Sequence, residues 1–246
     1  MNPTSSNNPW HIAILIPARD EELLLTRCLR SVARARAALP SYITSDVIFV
    51  ADHCTDRTLD MARRLLRGHG IAVPSQYGVV GMARSLAAEI ALSRYTGPLN
   101  RCWLANTDAD CELPDTWLND QLALAEQGAE AIAGIVCVDS FDGHPAHVVG
   151  RFRETYLIHS DGTHPHVHGA NLGVRADVYR SAGGWRSLDT AEDHDLWNRL
   201  KSLGRNCRSV SALEITTSGR VIGRAPNGFA GALAAHDTIV HREAVV

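Results

Sequence analysis

Three uninterrupted apolar runs constrain the fold of this chain more than any other feature. They are His11-Ile12-Ala13-Ile14-Leu15-Ile16-Pro17, Asp46-Val47-Ile48-Phe49-Val50-Ala51-Asp52 and Trp103-Leu104-Ala105-Asn106. A strand with one wet face alternates apolar and polar residues, whereas a strand covered on both faces reads as a continuous apolar run. Segments of helical spacing separate them. The first opens at Ala18-Arg19-Asp20-Glu21-Glu22, with acids in its first turn, carries Leu24, Cys28, Leu29 and Val32 on one stripe, and stops at Pro40. The second follows Thr55, a candidate N-cap, and ends near Gly68-His69-Gly70. Ile71 to Pro74 reads as a short strand and Met82 to Arg94 as a third helix. Strict alternation of this kind predicts a mostly parallel sheet with helices on both sides, and such sheets bind ligands at the C-terminal ends of their strands.

Composition narrows the function. The 246 residues carry a net charge of −3 with both signs mixed throughout, which argues against a nucleic-acid binder driven by phosphate attraction. No apolar run reaches the roughly 18–20 residues of a membrane span, so no integral membrane segment is expected. The polar start, Met1 to Pro9, lacks the features of a signal peptide. Six dispersed cysteines without a Cys-x-x-Cys pair suit reduced thiols, and the expected location is cytoplasmic. Further along, Ala129 to Val138 reads as a fifth strand, Phe152 to Ile158 as helix, Val167 to Val174 as strand and Arg175 to Ala182 as helix. Thr190 stands three residues before Asp193, close to a capping box, and a last strand covers Cys207 to Leu213.

Two of these segments carry recognisable chemistry. Asp108 and Asp110 lie one residue apart just beyond the third apolar run, before Pro114 and a helix bearing Trp117, Leu118, Leu122 and Leu124. Strand spacing would put both carboxylates on one side, a pair of hard oxygen donors suited to Mn²⁺ or Mg²⁺. The same residues also suit a plain loop in which Asp110 or Asp115 caps the helix. His164-x-His166-x-His168 would set three imidazoles on one strand face, as a zinc or other transition-metal site requires, although Pro165 works against a regular strand and loop histidines are commonly solvent-exposed.

Five segments together resemble glycosyltransferase family 2, a GT-A group of nucleotide-sugar-dependent transferases. In order they are Ile14-Leu15-Ile16-Pro17-Ala18-Arg19-Asp20-Glu21-Glu22, Val50-Ala51-Asp52-His53-Cys54-Thr55-Asp56, Gly81-Met82-Ala83-Arg84-Ser85, Asp108-Ala109-Asp110 and Glu192-Asp193-His194-Asp195-Leu196. The resemblance implies a single-domain α/β protein of GT-A (Rossmann-like) fold, with a mixed, mostly parallel sheet flanked by helices. It implies that Pro17, Ala18, Arg19 and Glu21 line a nucleotide pocket, that Asp52 contacts base or ribose, and that Arg84 lies near the nucleotide. Asp110 would ligate Mn²⁺ or Mg²⁺ directly, and Asp108 would touch ribose or the metal through water. The donor would be a UDP- or GDP-sugar, the acceptor a hydroxyl, and Asp193 the base that deprotonates it. Ala51-Asp52-His53-Cys54-Thr55-Asp56 departs from the family's Asp-Asp-Gly-Ser-Thr-Asp, which leaves the choice of base open.

On the acceptor side the candidates are His168, beside Gly169-Ala170-Asn171, then Asn171, Trp185 and Glu192, the last in the pair that matches the family's base position; Trp185 equally suits a core position. Arg220 and Arg224, in a glycine-rich tail, could clamp a diphosphate as part of a lid or form a solvated loop. The expected organisation is a disordered 1–10, a catalytic domain over 11–213 with a nucleotide-binding half (11–138) and an acceptor-binding half (139–213), and a tail over 214–246 as candidate mobile lid. With one candidate base and no second carboxylate placed as nucleophile, inversion is the expected course. Two rivals stand beside this reading. A sugar-1-phosphate nucleotidyltransferase would carry a glycine-rich basic segment where this chain has Pro17-Ala18-Arg19-Asp20-Glu21, and a silent nucleotide-sugar-binding protein would not need both Asp110 and Asp193.

Overall fold

In the computed structural model the described residues are 9–188, 190–224, 229–231 and 233. Seven strands form one sheet in the order β3-β2-β1-β4-β6-β5-β7. Strands β1 (His11–Ala18), β2 (Thr44–Asp52), β3 (Ile71–Ser75) and β4 (Cys102–Asn106) are parallel to one another. Strand β6 (Leu172–Arg175) runs antiparallel between β4 and β5 (Ala131–Val138), and β7 (Cys207–Thr217) pairs parallel with β5. The chain leaves β1 towards β2 on one side and later returns to its other side as β4. That reversal is where an open α/β sheet forms a crevice.

The apolar runs are continuous because each strand feeds two cores. From β1, Ile12, Ile14 and Ile16 enter one cluster and Ala13 and Leu15 the other. Val47 and Phe49 of β2 divide from Ile48 and Val50 in the same way, as do Trp103 and Ala105 of β4 from Cys102 and Leu104. Helices α1 (Leu25–Ala37), α2 (Thr58–Leu65) and α4 (Trp117–Glu126) cover the first face; α3 (Val80–Arg94), α6 (Ala176–Ser181) and α7 (Glu192–Ser202) cover the second. Helix α3 buries Gly81, Ala83, Ala87, Ala88 and Ala91, small residues that let its backbone approach the sheet closely.

Several boundaries differ from the sequence expectation, each for a physical reason. Helix α1 starts at Leu25 and has no acid in its first turn. Asp20, Glu22 and Asp56 instead bond across two loops: Asp20 Oδ1 accepts from the Thr55 N–H (2.6 Å), Asp56 Oδ2 from the Glu22 N–H (3.1 Å) and Glu22 Oε2 from the Arg57 N–H (3.2 Å). Asp56 also accepts from the Thr58 N–H (2.8 Å), so Thr55 is not the N-cap of α2. Helix α4 begins at Trp117, because Pro114 forms the preceding turn and its carbonyl accepts from the Trp117 N–H (3.1 Å).

Helix α5 (Ala146–Thr155) lies earlier than expected; it follows the extended Pro145 and has Val148 as its buried residue, so it leaves little apolar pattern to read. The expected strand 167–174 is a 3-10 turn, Gly169–Asn171, followed by the short β6. Strand β7 continues past Leu213 to Thr217 after an irregularity in its register with β5. Of the expected disordered 1–10, residues 1–8 lie outside the described residues, while Trp10 is buried edge-on to Trp103. Among the described residues no helix is long and apolar enough to cross a membrane.

Candidate active site

The C-terminal ends of β1, β2 and β4 open into one cleft. Pro17, Ala18, Arg19 and Glu21 come from the end of β1, Asp52 from β2, and Asp108 and Asp110 from the segment after β4. Arg220 and Arg224, which follow β7, line the same cleft. Asp108 and Asp110 converge through a turn rather than by strand spacing, since β4 ends at Asn106 and the Cys111 N–H bonds the Asp108 carbonyl (3.1 Å).

Two carboxylate–guanidinium–carboxylate triads organise the polar groups. In the first, Arg220 makes a two-pronged pair with Glu21 (2.8 and 2.7 Å) and donates to Asp110 Oδ2 (2.9 Å). In the second, Arg84 donates to Asp108 Oδ1 (2.7 Å) and Glu192 Oε1 (3.3 Å), and also to the Gly169 carbonyl (3.0 Å). Arg84 is buried beneath the cleft rather than lining it, with its guanidinium 5.5 Å from the Trp185 ring centroid. Burial opposes its charge, but Asp108, Glu192 and Asp193 together more than offset that and hold its pKa above the usual value. With its nitrogens bonded inside, Arg84 is a strut under the cleft.

Counted as ionised groups, each triad carries one negative charge in excess, which Arg19 and Arg224 on the same cleft offset in part. Burial, followed by the nearby Asp108 charge, pushes the Asp110 carboxyl up to about 7. Burial likewise raises Glu21 and Glu192. Hard carboxylate oxygens gathered in one cleft, with burial raising the cost of their charge, fit a divalent cation such as Mn²⁺ or Mg²⁺. Asp52 stands on the far side of the cleft, where its Oδ1 accepts from the Ser75 hydroxyl and from the Tyr77 N–H (2.9 Å). Ser75 was absent from the sequence expectations, although the rule that ligands meet strand C-termini would have found it at the end of β3.

Asp193 sits in the first turn of α7, one link beyond the second triad. Its Oδ2 accepts from the Gly169 N–H (2.8 Å) and its Oδ1 from the His194 N–H (2.7 Å). The residue before the helix is Ala191, with φ of 58°, so Thr190 does not stand at the N-cap position that the expected capping box gives it. Asp193 remains partly exposed. Gly169 is required by its neighbours: a Cβ there would stand 2.6 Å from Arg84 Nη2.

The acceptor-side expectations divide. His168 lies near Asp193, whose charge reaches it, yet burial dominates and lowers its pKa to about 4. Its Nε2 meets the Tyr156 hydroxyl (2.9 Å), which already accepts from the Val136 N–H (3.0 Å). With the phenol proton donated to Nε2, the neutral His168 carries its own proton on Nδ1. Asn171 is fully buried inside the sheet, where it donates to the Ile135 and Leu213 carbonyls (2.9 and 2.8 Å) and accepts from Trp117 Nε1 (2.9 Å). Both its amide hydrogens are used, and no part of it reaches the surface. Trp185 is buried in the second core and Glu192 bonds Arg84, so neither forms an open wall.

The histidine trio does share one face as its spacing suggested. Rings of His164, His166 and His168 stack at 5.8 and 6.0 Å, tilted by 20° and 12°, with Tyr156 parallel to His166 at 4.0 Å. Near-parallel rings so far apart cannot aim their in-plane lone pairs at one ion about 2.0–2.1 Å from each nitrogen. The zinc expectation therefore fails on geometry. Among the described residues the acids and thiol of Asp20, Cys54 and Asp56 form the one cluster of three close enough to share a metal, and those carboxylates are taken up by the loop contacts above.

The chain belongs to glycosyl transferase family 2, whose sequence profile matches residues 13–183. No curated protein matches it. Among solved structures it resembles residues 1–349 of TarS from S. aureus, with a TM-score of 0.61 at 17% identity over 85% of this chain and 60% of that one. The same TarS segment in complex with UDP gives 0.60 at 17% identity, over 85% and 61% of the two chains. The mannosyltransferase PcManGT from Pyrobaculum calidifontis, in complex with GDP-Man and Mn²⁺, gives 0.62 at 17% identity, over 96% and 71%. These likenesses are of fold: a mixed, mostly parallel sheet flanked by helices, as in GT-A glycosyltransferases. The chain spans about three fifths of the TarS segment it matches.

Proposed function

We propose that this protein transfers a sugar from a nucleoside-diphosphate donor to an acceptor hydroxyl, with Mn²⁺ or Mg²⁺ held by Asp110 and Asp108, and with inversion at the sugar. One observation carries the reading. Glu21, Asp52, Asp108, Asp110 and Arg220 converge on a single cleft at the switch point of a family 2 sheet, where four carboxylates meet three arginines, Arg19, Arg220 and Arg224.

The chemistry follows from those charges. As the bond between sugar and diphosphate breaks, negative charge grows on the leaving group, which a divalent cation would neutralise and orient. Arg220 and Arg224 lie on the same cleft and would add guanidinium donors to the diphosphate. Asp52, fixed by Ser75 and Tyr77, would receive the ribose or base. UDP and GDP-mannose, held by the structural relatives, set the donors to try first.

On the other side of the reaction the acceptor hydroxyl must lose a proton. Each oxygen of Asp193 accepts one backbone N–H, which fixes the carboxylate and leaves a further lone pair on each oxygen to take that proton. His168, held neutral and with its Nε2 engaged by Tyr156, is a wall and not a proton carrier.

Asp193→Asn keeps the side chain's size, removes the basicity and gives up one of the two backbone N–H bonds, so turnover should fall by about 10²–10⁴ while Mn²⁺-dependent nucleotide binding is unchanged. Quenched-flow or endpoint release of nucleoside diphosphate measures it, and the anomeric configuration of the product tests inversion. Near-wild-type turnover in folded Asp193→Asn would remove Asp193 from the mechanism. Release of pyrophosphate from a nucleoside triphosphate would contradict the transfer reading.

A further inference from the structure

Arg220 sits where the proposed cation needs ligands. Its guanidinium bridges the two acids that flank the cleft floor, making both prongs to Glu21 and a third bond to Asp110 Oδ2. The Glu21 backbone is itself fixed by the Thr58 hydroxyl, whose oxygen accepts the Glu21 N–H (2.7 Å).

The root of the arginine is anchored as firmly. The Gly219 N–H donates to Asp139 Oδ1 (2.9 Å), and its carbonyl accepts from His144 Nε2 (2.8 Å). Asp139 is held in turn by Arg27 (2.7 Å), and the same Arg27 donates to the Asp110 carbonyl (2.9 Å). A Cβ on Gly219 would meet the Ser140 carbonyl at 1.8 Å, so only glycine fits this anchor. Beyond it Val221 and Ile222 face outward, 46% and 80% exposed. The backbone is thus pinned before Arg220 and, among the described residues, exposed directly after it.

A guanidinium and a divalent cation repel each other, and a carboxylate oxygen that accepts a hydrogen bond from one is a poorer ligand for the other. We infer that Arg220 is a built-in stand-in for the cation: it neutralises Asp110 and Glu21 in the ligand-free protein and gives up Asp110 Oδ2 when a divalent ion takes that carboxylate. This rests on the cation reading of Asp110 above. The displaced guanidinium is then free to meet the diphosphate, so cation entry and donor capture become one exchange of partners at Arg220.

The test is Mn²⁺ binding by the full chain without any nucleotide, read from the loss of the free-ion paramagnetic resonance signal. Arg220→Gln removes the competitor and should bind Mn²⁺ about tenfold tighter than wild type, the weight of one charge-assisted hydrogen bond. Arg220→Lys should restore weaker binding. In wild type, Mn²⁺ should speed tryptic cleavage after Arg220, located by mass spectrometry, because the freed side chain becomes available to the protease; this readout needs no variant to fold. Asp110→Asn should abolish both effects. Equal Mn²⁺ affinity in wild type and Arg220→Gln, with binding still dependent on Asp110, would overturn the stand-in role and leave the cation reading intact. Absence of Mn²⁺ binding, or binding indifferent to Asp110→Asn, would overturn both.

Discussion

Two titrating side chains on either side of the site pull stability in opposite directions with pH. Asp110 has its folded pKa raised to about 7, from 3.8. The folded state therefore binds a proton that the unfolded chain has lost, and stability declines as pH rises from about 4 to 7. His168 is lowered to about 4, from 6.5, so its contribution is complete above 6.5 and lost as pH falls towards 4. Between pH 4 and 6.5 the two slopes oppose, and the wild-type profile should be shallow there. Asp110→Asn should be more stable than wild type at pH 8 by on the order of 2–3 kcal/mol and should lose stability steadily on acidification. His168→Gln should show the reverse, gaining stability from pH 6.5 to 4 where wild type changes little. Urea unfolding across pH 4–8 measures both; parallel profiles for the three proteins would contradict these assignments. Asn171 makes a different point at this scale. Nothing in the sequence distinguishes an asparagine that bonds two carbonyls and an indole inside a sheet from one that greets a ligand.

At the scale of elements, the site is built from turns whose partners are far away in the chain. The apolar runs of β1, β2 and β4 were legible because double-sided burial removes polar residues from a strand. The start of α1 was not, because Asp20 and Glu22 resemble first-turn acids and in fact bond the backbone around Thr55 to Arg57, more than thirty residues on. Arg84 illustrates the same limit: as a family-matched residue it suggested the nucleotide, and its buried contacts with Asp108, Glu192 and Gly169 come from three other elements. That strut makes a prediction. Gly169→Ala forces a methyl group against the Arg84 guanidinium, and should destabilise the protein by about 1–3 kcal/mol as an overpacking change. Because Gly169 also holds Asp193, any surviving turnover should fall further than Mn²⁺ affinity does. Denaturant unfolding beside Mn²⁺ titration checks it, and a variant as stable as wild type would show that the contact relaxes freely.

Across the whole molecule, the sheet order explains why residues as distant as Glu21, Asp110 and Arg220 meet. Strands β1 and β4 are neighbours at the switch point, and the chain beyond β7 returns to their C-terminal ends. The sequence made the crevice and its carboxylates readable, since both follow from strand endings. It did not make the pairing of Glu21 with Arg220 readable, because no spacing rule links residues 199 apart. The account stands on the claim that Asp108 and Asp110 hold a divalent cation against a nucleoside diphosphate. The most direct measurement is a thermal-shift titration of UDP- and GDP-sugars with Mn²⁺ or with a chelator, for wild type and Asp110→Ala. A donor at 100 times its dissociation constant should stabilise wild type by about 2.7 kcal/mol in the presence of Mn²⁺. That stabilisation should vanish in chelator and in Asp110→Ala; equal stabilisation in all three conditions would contradict the central claim.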